Sequence, residues 1–257
     1  MKIAKNLVIV LCLVGLIFFI GACVSPAPRE TFVVKVVRNY APIVVNIRTE
    51  RIVDLKDSPE WGLYGEQLDN FFREHFGEDY SEGTLKYKSV GSGVIIDGGG
   101  LIVTNAHVVQ MATTIYVVLK DGTILDAKVL GINQFDDLAI IKTDLPRPVK
   151  QTRFANVNDL MIGETVIAIG NPLGLENSVS VGVISGRDRE LQSQQCGYVC
   201  SGLLQTDAPI NPGNSGGALL NLEGELIGVN LAVVQQAQNI GFAVPVDKII
   251  RMLEDYK

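Results

Sequence analysis

The chain has 257 residues, 47% of them hydrophobic, with 22 Lys and Arg against 28 Asp and Glu and a net charge of −6. A nucleic-acid binder would need a basic surface, which this balance argues against, and the length suits one two-lobed domain as a unit. There are four cysteines and two histidines, and they form no cluster with metal-ligand spacing, so neither a metal nor another cofactor is expected.

In chain order, the first feature is a basic start, Lys2 and Lys5, followed by an apolar run over residues 7–20. The run falls short of the roughly 20 residues that a transmembrane helix prefers, and it fits a secretory signal. Ile20-Gly21-Ala22-Cys23 resembles a bacterial lipobox, which implies cleavage before Cys23 and lipidation of its thiol. An uncleaved anchor, with the run extended through Val24, and simple secretion stay open beside the lipoprotein reading. All three place the remaining chain outside the cytoplasm, and the lipoprotein and anchor readings tie it to a membrane in the cell envelope. Residues 1–22 thus read as signal or anchor, 23–31 as linker and 32–257 as the folded domain.

Phe32, Val33, Val36, Val37 and Tyr40 recur at helical spacing, and Pro42 predicts the end of that helix. From there the pattern changes to short β-branched runs separated by Gly, Asn and Asp. Candidate strands cover 43–51, 90–96, 101–105, 114–119, 124–130 and 138–142, then 164–169, 179–185, 203–206, 217–220, 226–231 and 240–244. The stretch 145–159, with Pro146 and Pro148, divides them six and six. Strands at this spacing argue for barrels or sandwiches, with lobe one over about 43–144 and lobe two over about 160–245. Two segments break the pattern: an insertion over 54–88 with a helix expected around 67–76, and a polar loop over 186–201. That loop holds Cys196 and Cys200, two nearby thiols that an oxidising compartment would favour pairing. Ile249, Ile250, Leu253 and Tyr256 predict a closing helix.

The sharpest chemical signal is Gly213-Asn214-Ser215-Gly216-Gly217. Flanking glycines let the backbone turn tightly and aim successive N–H groups into one small space, which suits both an exposed nucleophile and an oxyanion. A serine needs a base to take its proton. His75 lies in the insertion among Phe71, Phe72 and Phe76 and reads as a packed helix residue. His107, just past a strand, is the better candidate. Asp137, at the mouth of an apolar strand, is the candidate for orienting the imidazole, and its neighbour Asp136 reads as a solvated turn carboxylate. The Gly-x-Ser-x-Gly pattern also fits the nucleophile elbow of α/β-hydrolases, but that fold places its histidine after the serine. No histidine follows Ser215. The order His107, Asp137, Ser215 is that of a chymotrypsin-type double barrel. The expected fold is therefore all-β: two six-stranded barrels with an N-terminal and a C-terminal helix.

Thr104-Asn105-Ala106-His107-Val108-Val109, Asp137-Leu138-Ala139-Ile140, Ile169-Gly170-Asn171-Pro172, Gln205-Thr206-Asp207-Ala208, residues 213–219 and residues 240–245 resemble, in order, the protease domain of the HtrA/Deg family. The resemblance implies proteolysis of misfolded or signalling proteins in the cell envelope, often by a homotrimer, with His107, Asp137 and Ser215 as catalytic residues. Gly213, Asn214 and Ser215 would form the oxyanion hole. A wall of Ile210, Leu231 and Ile240 would make the substrate pocket. Trypsins carry an aspartate six residues before the serine; Pro209 stands here, so small aliphatic residues are expected before the cut. Family members usually continue into PDZ domains, for which the sequence after residue 245 has no room. The 186–201 loop also departs from the family's regulatory loop. An inactive or switchable protease-fold protein, acting as chaperone or scaffold, is the alternative function.

Overall fold

The computed structural model describes residues 29–56, 69–70, 73, 79–81, 83–172, 177–192, 199–211, 213–233 and 239–256. Helix α1 (Phe32–Tyr40) opens the fold. The Thr31 hydroxyl caps it by accepting from the Val34 N–H at 3.3 Å. Val36 and Tyr40 form its buried stripe. Pro42 falls in the 3₁₀ turn Ala41–Ile43 that ends it, as the helix-stop reading requires.

Strands β1 (Val44–Asp54), β2 (Tyr80–Ser81), β3 (Thr84–Ile95), β4 (Leu101–Thr104), β5 (Thr114–Val118), β6 (Ile124–Asn133) and β7 (Leu138–Thr143) make the first sheet. Its order is β1-β5-β6-β7-β4-β3-β2, and pairing of β1 with β3 closes six of these strands into an antiparallel barrel. Strands β8 (Thr165–Gly170), β9 (Ser178–Gln192), β10 (Val199–Thr206), β11 (Ala218–Leu220), β12 (Leu226–Val233) and β13 (Gly241–Pro245) close the second, in the order β10-β13-β12-β11-β8-β9. Between β4 and β5 sits the short helix α2 (Ala106–Val109), and α3 (Val246–Glu254) ends the described chain. The fold is the chymotrypsin-like double barrel that the strand pattern predicts.

Several strands are apolar on both faces. Val44, Val45 and Ile47 of β1, Leu138–Ile141 of β7, Val166–Ile169 of β8 and all of β13 are buried. An outer strand such as β6 instead leaves Ile124, Val129, Leu130 and Ile132 partly in solvent. Both helices tie the barrels together. The Tyr40 ring of α1 packs against Gly224 in the turn before β12, and the Lys150 ammonium stands 4.0 Å from that ring's centre. Helix α3 buries Val246, Ile249, Met252 and Leu253, and Tyr256 beyond it reaches back to Gly131 in β6 of the first barrel.

Two local expectations change. The 54–88 insertion is shorter than the sequence pattern suggested, because β1 runs to Asp54 and pairs continuously with β3 down to Thr84. Its ends are thus the tip of a long hairpin, masked in sequence by the charges of a solvent-facing ladder. Of the expected helix around 67–76, the described residues Asp69, Asn70 and Arg73 are helical. Likewise, much of the 186–201 loop is strand: β9 extends to Gln192 and β10 begins at Val199, paired through Cys200↔Leu191. Cys200 is buried at 1% exposure. Cys196, and with it the expected Cys196–Cys200 pairing, lies outside the described residues, as do the apolar run and Cys23. Among the described residues no helix is long and apolar enough to cross a membrane.

Candidate active site

The break between β4 and α2 delivers His107. Asn105 leaves the strand in an extended conformation, and the four-residue helix then buries Ala106, Val108 and Val109. Three anchored apolar side chains on so short a helix leave the imidazole facing out, with its side chain 19% exposed.

Asp137 stands at the entrance to β7, at 2% exposure, with φ at +50°. That left-handed value is uncommon outside glycine, and the surroundings hold it from several directions. The Asp137 carbonyl accepts from the Ala106 N–H at 3.1 Å and from Asn105 Nδ2 at 2.9 Å. Its Oδ1 accepts from the His107 N–H at 2.9 Å, and its Oδ2 lies 2.6 Å from His107 Nδ1. The carboxylate thus grips the histidine twice, by backbone and by ring. With Nδ1–H donating to it, Nε2 of a neutral ring carries the lone pair that a base needs.

Asp136, one residue earlier, turns the other way. Its Oδ1 is 2.6 Å from Lys248 Nζ of α3, and its Oδ2 accepts from Asn133 Nδ2 at 2.9 Å. The solvated-carboxylate reading is corrected: Asp136 is clamped to the closing helix. The charge pattern hid this, since Lys248 lies more than a hundred residues away in sequence.

Ser215 sits on the turn leading into β11 of the second barrel, half-buried. Asn214 N–H donates to the Asn211 carbonyl at 2.9 Å, closing a four-residue turn whose third member, Gly213, has φ +95°. That value lies in the left-handed region, where glycine is favoured. Gly216 follows at φ +83°, and a Cβ there would collide with the Ser92 carbonyl and the Thr104 hydroxyl. Glycine is therefore required by conformation and by close approach alike. The Gly216 N–H donates to the Asn230 carbonyl and the Asn230 N–H to the Gly217 carbonyl, both at 2.9 Å. Among the described residues the Ser215 hydroxyl makes no hydrogen bond. Catalytic contacts are commonly loose before substrate binds.

The serine turn docks onto the first barrel. Ser92 N–H of β3 donates to the Ser215 carbonyl at 2.8 Å, and the Ser92 hydroxyl donates to the Gly213 carbonyl at 2.6 Å. Thr104, three residues before His107, donates its hydroxyl to the Ser92 carbonyl at 2.7 Å. The serine turn and the His107 segment thereby share one scaffold. Sequence reasoning missed Ser92, and also Asn46 and Asn171, which join the same network. Its signal was Gly91-Ser92-Gly93, a serine between glycines at the strand end nearest the seam.

The three residues named for the substrate pocket are not all brought together: Leu231 and Ile240 belong to one core cluster and Ile210 to the other. Ile210 (3% exposed) abuts Gly241 at the start of β13, whose Cβ would come within 2.6 Å of Ile210 Cγ1. Leu231 (1%) lies on β12, beside β13, and Ile240 just precedes β13, half-buried. Asp207, the nearest acid, has its Oδ1 taken by the Val183 N–H at 2.7 Å.

The chain is similar to known proteins. The trypsin-like peptidase domain family matches residues 91–229. HhoB of Synechocystis sp. is 41% identical over 226 residues, covering 87% of this chain and 52% of the relative. The periplasmic pH-dependent serine endoprotease DegQ of Escherichia coli is 36% identical over 212 residues, covering 79% of this chain and 43% of DegQ. The chain thus spans about half the length of the curated relatives it matches. The solved structure of the HtrA-type protease AlgW with a decapeptide superposes with a TM-score of 0.70 and 32% identity, covering 88% of this chain and 67% of AlgW. With the double barrel and the order of its motifs, these matches mean that the chain belongs to the trypsin-like peptidases of the HtrA type.

Proposed function

We propose that the chain is a serine endopeptidase of the cell envelope that cleaves misfolded or regulatory proteins by acyl transfer. The observation that carries this reading is the double grip of Asp137 on His107, with the turn of a glycine-flanked serine bonded to Ser92, which is itself bonded to Thr104 three residues before His107. Ser215 attacks the peptide carbonyl as His107 Nε2 takes its proton, and Asp137 stabilises the imidazolium that forms. The oxyanion falls to the N–H groups of Gly213 and Ser215. The Asn214 N–H, expected to join them, already donates to Asn211. His107 then protonates the leaving amine, and water repeats the sequence on the acyl-enzyme.

Ile210, Leu231 and Ile240 give the pocket branched apolar walls. Pro209 brings no charge, and the Asp207 carboxylate is already engaged with the β9 backbone. Small aliphatic residues such as Val, Ala or Ile are therefore favoured before the cut. The envelope location rests on the basic and apolar N-terminal run and on relatives such as DegQ that are named as periplasmic. Digesting a reduced, alkylated protein and sequencing the new termini by mass spectrometry tests the reading. Cuts after aliphatic residues, abolished by Ser215→Ala, support it. A profile dominated by Lys or Arg contradicts the pocket, and digestion that survives Ser215→Ala contradicts the mechanism.

A further inference from the structure

We infer that Ser92, on the first barrel, is a positioning residue for the oxyanion donors of the second. This rests on the serine-endopeptidase reading above and adds a residue to it. Ser92 is fully buried and its polar atoms are all spoken for. Its N–H donates to the Ser215 carbonyl and its carbonyl accepts from the Thr104 hydroxyl. Its Oγ accepts from the Asn171 N–H at 2.8 Å and lies 2.6 Å from the Gly213 carbonyl oxygen. An amide N–H can only donate and a carbonyl can only accept, so the hydroxyl proton has one place to go, toward Gly213. Asn171 is itself fixed, because its carbonyl accepts from Asn46 Nδ2 of β1 at 2.8 Å. The hydroxyl therefore passes a rigid constraint from the first barrel into the serine turn.

The bond it makes falls where it matters. The Gly213 carbonyl belongs to the peptide between the two oxyanion donors, Gly213 N–H and Ser215 N–H. Turns of this length have two common forms, and they differ by rotation of the central peptide, which carries the Gly213 N–H. Gly213 at φ +95° is in the form that needs a left-handed third residue. A fixed Gly213 carbonyl opposes rotation on one side of that residue. The Asn211–Asn214 hydrogen bond is compatible with either form, so it cannot do this alone. Ser92 Oγ is the side-chain group that reaches the Gly213 carbonyl among the described residues.

The test compares wild type with Ser92→Ala and Ser92→Cys on a fluorogenic peptide carrying Val before the scissile bond. Both variants keep the backbone bond to Ser215, and cysteine keeps the volume with a weak donor. Removing one oxyanion donor lowers kcat by about 10²–10³-fold, so misplacing one should lower kcat at least about tenfold with KM within about threefold. The potency of a peptidyl boronic acid, whose tetrahedral adduct places an oxygen in the oxyanion site, should fall in parallel. Ser92→Thr, which keeps the hydroxyl, should recover most of kcat. A purely structural role would lower the melting temperature and leave kcat per folded molecule unchanged. That outcome, or a folded Ser92→Ala or Ser92→Cys with wild-type kcat, overturns the proposal. Should Ser92→Ala not fold, Ser92→Cys carries the same comparison. An active wild type with a dead Ser215→Ala but an unaffected Ser92 variant overturns this inference alone; an inert wild type overturns both.

Discussion

Asp137 shows how much chemistry one residue can hold. Its backbone takes a left-handed conformation, at a cost of order 1–3 kcal/mol, and returns two contacts to His107. Asp137→Asn keeps the shape but allows the amide to present an N–H to Nδ1, which favours the wrong tautomer. Peptide hydrolysis should fall about 10⁴-fold in kcat with the fold intact, as followed by steady-state kinetics beside circular dichroism. Gly216 fails differently. A Cβ there meets backbone oxygen at an unfavourable φ, so Gly216→Ala should lower stability by about 2–5 kcal/mol, read from chemical denaturation. The pairing of His107 with Asp137 was legible because a serine nucleophile demands an oriented base and only two histidines exist. The roles of Ser92 and Asn171 were not, because each is defined by hydrogen bonds between a side chain and backbone far apart in sequence, and the glycines around Ser92 do not name its partners.

At the scale of elements, α3 closes the fold and also steadies the loop that bears the acid. Lys248 is 11% exposed and Asp136 24%, and the pair is joined by a further bond from Lys248 to the Ser201 carbonyl at 2.6 Å. Removing the cation from a partly buried pair leaves its partner uncompensated. Lys248→Ala should cost about 1–3 kcal/mol in thermal or urea unfolding, with a smaller loss in kcat than any change at Asp137. All twelve strands expected from the β-branched runs are present, since alternation and turn residues are local signals. Their lengths were less legible. β1 runs on to Asp54 and β3 starts back at Thr84, taking in Lys86 and Lys88, which read as loop by composition but pair as a ladder. The same holds for Arg187, Arg189 and Glu190 on β9. A strand that faces solvent on both sides has no apolar alternation to announce it.

The whole molecule is two barrels, and the candidate site draws residues from both. The first supplies His107 and Asp137, the second Ser215, and Ser92, Asn46 and Asn171 stitch the seam. The division into barrels was visible in the sequence as two sets of six strands, because alternation and turn residues mark each strand locally. The network that aligns the halves was not, since it exists only once the barrels meet. The most direct test of the central claim is covalent labelling of the purified chain with a fluorophosphonate probe, read by intact mass and by mapping the modified peptide. One adduct on Ser215 is predicted, absent from Ser215→Ala and slowed at least about a hundredfold in His107→Ala. A wild type that takes up no label, or takes it on another residue, would contradict the account.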